Sequence, residues 1–342
     1  MKDTTISVDV AKAVFELAVS DRPGRVVERH RLCRAAFLRF FAERKPATVL
    51  LEACGSSHHW ARQLQAAGHR VVLLPPHAVR PYVQRDKTDR TDARALLEAA
   101  RNSDIRPVPV KSVPQQGLMA LHRLRSRWLA ARTSRMNTVR GILREFGLMI
   151  PLGAQHVLPK LHAALEDPNS PLPEPLRAAL ALAGEEIAQL ELRIRRVEQS
   201  LKSLARELPV VERLQTIPGV GPLSATALVG FIGNIQRFRS ARHLASYLGL
   251  TPREHSSGLR RRLGAISKRG DAYLRMLLIH GARAVLWAAR RRQQPDRLRL
   301  WALNLERLRG HNKAAVALAN KLARLVWVIW TKGKEFQEMP AA

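Results

Sequence analysis

The stretch TTISVDV, residues 4–10, decides the predicted fold of the N-terminal region. Its isoleucine and valines alternate with Ser7 and Asp9, and a period of two is typical of a strand with one buried face. Asp9 is therefore an acidic side chain within an apolar strand. That placement makes it a candidate functional residue, although a strand residue on the solvent face fits the same pattern.

The segments after this strand predict a mixed sheet. Two more strands flank a Pro23-Gly24 turn, and helices then alternate with short strands. The predicted strands are Ala13–Ser20, Arg25–Leu32, Thr48–Leu51 and Arg70–Leu74, and the predicted helices are Ala35–Arg44 and Ser57–Ala67. Three successive strands followed by strands alternating with helices fit a sheet of the ribonuclease-H type.

The composition indicates a nucleic-acid partner. The 342 residues include 58 Lys and Arg against 28 Asp and Glu, giving a formal net charge of +30. So basic a chain does not suit an enzyme of small neutral metabolites and favours binding to polyanions. The length allows two or three domains with a substantial core.

Membrane and disulfide-rich classes are disfavoured. We expect no membrane-spanning helix, because no apolar run approaches the roughly 20 residues that such a helix needs. The N-terminus has no signal-peptide pattern, and the two cysteines, Cys33 and Cys54, are too few for a disulfide framework or a cysteine-rich zinc site. The sequence therefore predicts a soluble cytosolic protein.

Four carboxylates are candidates for a metal site. Asp9 lies in the first strand, Glu52 ends the fourth, and these strands are neighbours in the predicted sheet. Asp89 and Asp92 follow in KTDRTDA, residues 87–93, three apart and so on one face if this segment is helical. Carboxylates that converge repel one another unless a hard divalent cation such as Mg²⁺ holds them.

Ordinary structural roles explain each acid equally well. Glu52 fits a strand-end charge, and Asp89 with Asp92 fits an N-cap and the reciprocal acid of a capping box. Acids within apolar strands of an acid-poor chain favour the metal site for the set as a whole.

Long amphipathic helices are predicted in the middle of the chain. Apolar residues recur at helical spacing from Gln115, a proline-rich break spans Asn169–Pro175, and a strong helix follows at Leu176–Leu208. Two long helices around a break predict an antiparallel helical hairpin or coiled coil, whose ordinary role is spacing and self-association.

Two glycines separate apolar helical stretches in LQTIPGVGPLSATALV, residues 214–229. Such a helix-hairpin-helix lets backbone N–H groups near Gly219 and Gly221 approach a nucleic-acid phosphate at a helix N-terminus. A tight turn used for packing fits the same residues.

The stretch TPREHSSGLRRRLGAISKRGD, residues 251–271, combines hydroxyl and cationic side chains. Ser256 and Ser257 precede Gly258, which allows close backbone approach, and cations able to hold a phosphate surround them. The predicted nucleic-acid contacts here are Arg253, Arg260, Arg261, Arg262, Lys268 and Arg269. A polar Ser/Gly turn with solvated charges is the alternative. Helices are predicted beyond it at Ala272–Arg292, Leu298–Leu308 and Asn312–Trp330.

Taken in order, these motifs resemble one known family, the DEDD-type insertion-sequence transposases, which are serine-dependent recombinases guided by a bridge RNA. The resemblance spans almost the whole chain. The motifs that carry it are ISVDVAK (6–12), LLEACG (50–55), KTDRTDA (87–93), IPGVGPLSATAL (217–228), LGLTPREHSSG (248–258) and RLGAISKRGD (262–271).

The resemblance implies a fold of the α/β plus α class in three domains. Residues 1–112 would form a RuvC-like domain around a ribonuclease-H-like mixed sheet. Residues 113–208 would form a helical coiled-coil region, and residues 209–342 a mostly helical C-terminal transposase domain that contains the helix-hairpin-helix and the catalytic serine.

The resemblance also implies the chemistry. The family's acidic tetrad falls on Asp9, Glu52, Asp89 and Asp92, and its nucleophilic serine, directly before the glycine, falls on Ser257. The acids would hold Mg²⁺ or Mn²⁺ while the serine attacks a DNA phosphodiester and forms a phosphoserine link.

The partners implied by the resemblance are donor and target DNA and a bridge-type non-coding RNA that reads the target by base pairing. A homo-oligomer, dimer or tetramer, is expected, in which the acids of one protomer face Ser257 of another. No membrane is involved, and the expected location is the bacterial cytoplasm, at the nucleoid.

Two other functions compete with this interpretation. A RuvC-like metal-dependent junction nuclease would use the same acids to hydrolyse DNA with water and without a covalent intermediate. A non-catalytic nucleic-acid-binding protein would use the hairpin and the basic helices for packaging. The Ser257→Ala and Asp9→Ala variants separate the three.

Overall fold

The computed structural model describes residues 4–83 and 88–339, and the side chain of Asp89 lies outside this description. The chain divides into two compact units, Met1–Val113 and Pro114–Ala342. The first predicted domain boundary, after residue 112, lies within one residue of this division. The further division at residue 208 stays a prediction.

A five-stranded mixed sheet forms the centre of the first unit. Its strands are β1 (Thr5–Val10), β2 (Val14–Arg22), β3 (Arg25–Cys33), β4 (Thr48–Glu52) and β5 (Arg70–Leu74). Their order across the sheet is β3-β2-β1-β4-β5, with β1, β2 and β3 antiparallel and β1, β4 and β5 parallel. All five strands expected from the sequence are therefore confirmed.

Helices cover both faces of this sheet. They are α1 (Arg34–Ala42), α2 (Ser57–Ala66), α3 (Pro76–Val79), a single 3₁₀ turn at Arg80–Tyr82, and α4 (Asp89–Ala99). Helices α1 and α2 pack on one face through a cluster that includes Phe37, Trp60 and Leu51. Helices α3 and α4 pack on the other through Leu50 and Leu96. Apolar packing on both faces fixes the positions of the strand residues.

Two long antiparallel helices begin the second unit. They are α5 (Val113–Glu145) and α7 (Glu174–Arg206), and between them come a 3₁₀ turn at Ala154–His156 and α6 (Val157–Glu166). Three ion pairs join α5 to α7: Arg125–Glu198, Arg132–Glu191 and Arg135–Glu186. The residue numbers rise along α5 while those of their partners fall along α7, so the two helices are antiparallel. The predicted antiparallel pair is present, and α6 is an element that the sequence patterns did not indicate.

The remainder of the second unit is mostly helical. Its elements are α8 (Pro209–Gln215), α9 (Pro222–Ile232), a 3₁₀ turn at Ile235–Arg237, α10 (Ala241–Tyr247), β6 (Pro252–Glu254), β7 (Leu263–Ile266), α11 (Ala272–Ala289), α12 (Arg297–Arg309) and α13 (His311–Lys332). One continuous apolar cluster joins these helices to the adjoining ends of α5 and α7. The coiled-coil helices and the C-terminal helices thus share a core.

A buried polar network also ties α5 to this core. His122 of α5 is fully buried, with Nδ1 3.0 Å from the Tyr273 hydroxyl and Nε2 3.0 Å from Thr226 Oγ1. Because the Thr226 hydroxyl gives its proton to the Pro222 carbonyl, it accepts from Nε2–H, and Nδ1 then accepts from Tyr273. Burial, with a smaller effect of Arg125, lowers the pKa of His122 to about 4. The imidazole is therefore neutral at pH 7.

Helix α13 qualifies the expectation about membranes. Within residues 4–83 and 88–339 it is the one helix long and apolar enough to cross a bilayer by length and composition. However, its apolar stripe, which includes Leu318, Leu322 and Val326, is fully buried in the core of the second unit. A core helix passes the same length test, so the length of α13 alone is weak evidence for a membrane span.

Candidate active site

Asp9 and Glu52 lie side by side at the ends of two parallel strands. Val8 pairs with Leu51, so the next residue on each strand occupies the next step of the same register. Both acids are half-buried. The structure therefore brings these two predicted site residues together.

The two acids face the α4 side of the sheet. Because side chains alternate along a strand, Glu52 shares a face with Leu50, whereas Leu51 points to the other face. Leu50 packs with Leu96 and other residues of α4, while Leu51 belongs to the cluster beneath α1 and α2. Residues at the start of α4 lie over the same face as the acids.

Two threonines cap α4. Thr88 is the N-cap, and its hydroxyl accepts from the Thr91 N–H at 3.3 Å, while Thr91 Oγ1 accepts from the Thr88 N–H at 3.0 Å. This reciprocal pair is the capping box. The alternative interpretation of Asp89 and Asp92 as the capping residues is therefore wrong.

Asp92 is positioned towards the sheet. It precedes Leu96 by four residues and Ala99 by seven, and both of these are buried against the strands. Residues at that spacing share one helix face, and Asp92 itself is half-buried. Asp89 begins the same helix, but its side chain lies outside the described residues.

The described carboxylates of the first unit offer oxygen ligands but do not form a compact metal-binding cluster. The described part of the chain holds no group of three or more His, Cys, Asp or Glu side chains that could bind a metal ion. The donor chemistry nevertheless suits a hard divalent cation, since Asp9, Glu52 and Asp92 offer carboxylate oxygens on one face of the sheet. The tetrad stays a prediction.

The negative charge of Asp9 and Glu52 affects the pKa of the neighbouring Cys54 thiol. Burial raises the pKa of Cys54, and the carboxylates of Glu52 and Asp9 raise it further, although the residue as a whole is exposed. Both carboxylates act on the same sulfur atom. Asp9 and Glu52 are therefore both close enough to Cys54 for their charges to act on its thiol.

In the second unit, the serine stretch forms a β-hairpin. Strands β6 and β7 are antiparallel, and Ser257 and Arg260 exchange backbone hydrogen bonds at 3.3 and 3.1 Å around the loop Gly258-Leu259. Gly258 has a φ of +54°, which suits the first loop residue of a tight hairpin turn. Ser257 therefore lies at the tip of the hairpin, and this exposed turn also fits the alternative of a polar Ser/Gly turn with solvated charges.

The two serines of the hairpin differ in their partners. Ser256 Oγ donates to the Glu254 carboxylate at 2.8 Å and accepts from the Arg262 N–H at 3.1 Å. The Ser257 hydroxyl, by contrast, has no hydrogen-bond partner among the described residues. Ser256 has a structural role, and Ser257 offers an available hydroxyl.

Backbone contacts anchor the base of the hairpin. A Cβ on Gly249 would lie 2.2 Å from the Arg269 carbonyl oxygen, and a Cβ on Gly270 would lie 1.9 Å from that of Tyr247. Both glycines also have positive φ, which L-residues rarely adopt. The two ends of the stretch cross in direct backbone contact, and this contact requires glycine.

The predicted cations all lie exposed on or beside the hairpin. They are Arg253, Arg260, Arg261, Arg262, Lys268 and Arg269. Arg261 forms an ion pair with Glu254 at 3.3 Å. Arg260, Arg261 and Arg262 follow Ser257 at the tip end of the hairpin, whereas Arg253, Lys268 and Arg269 lie towards its base. Exposed guanidinium and ammonium groups along the whole hairpin suit a phosphate-binding surface.

The glycine pair of the helix-hairpin-helix has two different surroundings. Gly219 has a φ of +82°, and a Cβ there would lie 2.6 Å from the carbonyl oxygen of Gly281 in α11. Gly219 therefore serves the close packing of two backbones. Gly221 is exposed, with nothing within 4 Å of a Cβ, at the N-cap of α9.

Glu16 is an acid that sequence reasoning missed. It pairs in register with Asp9 and shares its face of the sheet. Its sequence signal, a carboxylate between Phe15 and Leu17 in an apolar strand, is the same signal that identified Asp9.

Comparisons with known proteins identify the class. A family model described as transposase of the IS116/IS110/IS902 family matches residues 211–297, and a model of DEDD-type IS110 transposases matches residues 6–147. The chain is 43% identical to a Pseudomonas aeruginosa protein described as a probable family 20 transposase, over 97% of this chain and 98% of the relative.

Two further relatives are named for insertion sequences. The chain is 38% identical to the transposase for IS1111A of Coxiella burnetii, over 98% of this chain and 92% of the relative. It is 34% identical to the transposase for IS1328 of Yersinia enterocolitica, over 98% and 99%. Such similarity along nearly the whole length shows that the protein is a DNA transposase. It belongs to the IS110 family of insertion-sequence transposases.

Proposed function

We propose that this transposase cuts and rejoins DNA through a covalent phosphoserine intermediate formed by Ser257. The observation that carries the proposal is the hydroxyl of Ser257, exposed at the tip of a cationic hairpin and without a partner in the described part of the chain. A nucleophile must be able to reach its substrate, and an unengaged hydroxyl is free to do so.

The covalent step exchanges one phosphate ester for another. Ser257 Oγ forms a bond to the phosphorus, the bond to the leaving deoxyribose oxygen breaks, and the serine proton passes to a base and then to that oxygen. A second DNA hydroxyl reverses the step, so strands are rejoined without an external energy source. The surrounding guanidinium groups stabilise the negative charge that develops on the phosphate oxygens.

Asp9, Glu52, Asp89 and Asp92 would hold Mg²⁺ or Mn²⁺. When bound, a divalent cation neutralises phosphate charge and polarises the scissile P–O bond. Asp9 and Glu52 lie on a sheet that is packed on both faces, and this packing holds their carboxylates in fixed relative positions. The strand order and the helices on both faces support a RuvC-like fold for this unit.

Guidance by a bridge-type RNA is the remaining part of the proposal. The net charge of +30 supports a complex that carries RNA as well as donor and target DNA at the nucleoid. The exposed Gly221 and the hairpin cations are the proposed backbone contacts. The proposed assembly is a homo-oligomer in which the acids of one protomer face Ser257 of another.

The test is a recombination reaction with purified protein, Mg²⁺, the RNA encoded in the DNA that flanks the transposase gene, and donor and target duplexes. We expect wild type to give protein covalently attached to DNA after denaturation, and Ser257→Ala to give none. Ser256→Ala is the matched control and should keep the adduct, since Ser256 is engaged within the hairpin. Cleaved DNA without adduct in all three proteins would instead establish a hydrolytic junction nuclease.

A further inference from the structure

A cavity of about 420 Å³ opens beside the acidic residues of the first unit. Its walls come from β2, β3 and the start of α4. The residues that line it are Glu16, Arg29, His30, Arg31, Thr88 and Arg90. Neither the motifs nor the chemistry of Ser257 accounts for this group of arginines.

The cavity continues the row of acids across the sheet. Asp9 pairs with Glu16, and Glu16 pairs with Arg31 on the next strand. Glu52 lies beside Asp9 on β4. A row of four charged residues therefore crosses the α4 face of the sheet in the order Glu52, Asp9, Glu16, Arg31. The row therefore changes from negative to positive at the cavity, two strands from Asp9.

Positive charge prevails within the cavity. Arg90 of α4 lies 3.8 Å from Glu16, whose side chain is only 11% exposed. Arg29 and Arg31 have no ion pair among the described residues, and Arg29 shares the face of Arg31 because it lies two residues away on the same strand. Three guanidinium groups against one carboxylate leave an excess of two positive charges.

We propose that this cavity binds a phosphodiester of the DNA strand whose scissile phosphate lies at the acidic row. The inference rests on the proposed acidic site. A polyanion that approaches Asp9 and Glu52 is repelled by them, so neighbouring phosphates need cations close by. Guanidinium groups suit this task because their paired N–H donors match two phosphate oxygens. Glu16 is the positioning residue that holds Arg90 at the cavity wall.

The first experiment measures DNA binding by full-length protein against salt concentration, and so does not depend on catalysis. The variant is Arg29→Ala with Arg31→Ala. The matched control is Arg39→Ala with Lys45→Ala, which removes two exposed charges of the same unit outside the cavity. We expect the slope of log K against log salt to fall by about 2 in the cavity variant and to stay unchanged in the control.

Equal slopes in the two double variants would overturn the inference. RNA of equal length forms a second arm, and a slope change confined to RNA would overturn the assignment to DNA. If Asp9→Asn and Ser257→Ala kept recombination, the proposed function would fail whatever the slopes. The two failures are therefore distinguishable.

Glu16→Gln tests the positioning role. We expect KM for DNA to rise about threefold to tenfold with kcat nearly unchanged, because Arg90 loses its partner but the metal-binding acids remain. Glu16→Asp should restore most of the affinity. A fall in kcat with unchanged KM would overturn the positioning role, since it would place Glu16 among the metal-binding acids.

Discussion

The acidic row and the serine hairpin place reactive groups by opposite means. Asp9 and Glu52 are half-buried on strands whose two faces both carry apolar cores. Every residue from 252 to 265 of the hairpin is exposed, and the hairpin is held by its own hydrogen bonds and by two glycine contacts at its base.

The difference in packing matches the different requirements of the carboxylates and the serine hydroxyl. Carboxylates that share a cation need fixed relative positions, which close packing supplies. A nucleophile that must reach DNA needs access, which packing would remove. Substitutions of the acids should therefore affect chemistry without affecting the hairpin, whereas changes beneath the hairpin should act through its position.

The largest expected effect is that of Glu52→Gln, which removes one charge at constant shape. We expect recombination to fall about a thousandfold, or about 4 kcal/mol in the activation free energy, because the proposed cation loses a ligand. RNA binding should remain intact. Glu43→Gln, at the exposed C-terminal end of α1 in the same unit, is the control. If the Glu52 variant lost RNA binding as strongly as recombination, Glu52 would have a structural role. The contrast between the acidic row and the serine hairpin would then fail.

A smaller effect concerns the support beneath the hairpin. His122 contacts Tyr273 in the first turn of α11, which follows the hairpin directly. As pH falls below 6.5 the unfolded imidazole takes up a proton, while the folded one stays neutral down to about 4. Stability of the second unit should therefore fall by up to about 3 kcal/mol across this range.

Hydrogen exchange in α11 at pH 7 and pH 5 measures this loss, after correction for the intrinsic exchange rate. His122→Gln keeps a polar side chain and should flatten the pH dependence. A wild-type protection that does not change between the two pH values would contradict a neutral buried imidazole.

The smallest expected effect is that of a substitution at the base of the hairpin. Gly270→Ala places a Cβ against the Tyr247 carbonyl and should cost about 1–3 kcal/mol of stability. Adduct formation should fall as the hairpin shifts. Gly264→Ala in β7, whose Cβ would lie 3.9 Å from the Arg253 carbonyl oxygen, is the control and should leave the adduct yield unchanged.

Much of the fold was predictable, because its signals are local. Alternation over residues 4–10 predicted β1, and helical spacing predicted α5 and α7, with errors of a few residues at their ends. The missed helix α6 keeps a helical apolar period, with Val157, Leu161 and Ala164 buried, but it spans only 10 residues and contains Pro159. The acids within strands were also visible as a pattern, yet Glu16 was overlooked although it carries the same signal.

The candidate site was less predictable, because its roles depend on partners distant in the chain. Nothing in the Ser256-Ser257 pair by itself reveals that one hydroxyl is engaged by Glu254 and Arg262 while the other is not. Similarly, the capping of α4 by threonines excluded one role for its aspartates. Gly219 packs against the backbone of Gly281, which lies 62 residues later in the chain, and no local pattern indicates that contact.

The sequence by itself determined the periodicities, the excess of positive charge and the order of motifs, since each is a property of neighbouring residues. Tertiary structure alone decided which side chains share a face and which hydroxyl is available. Strand register placed Asp9 between Glu52 and Glu16, and close backbone contact at Gly249 and Gly270 set the base of the hairpin. These relations arise from packing between distant segments, and no local pattern encodes them.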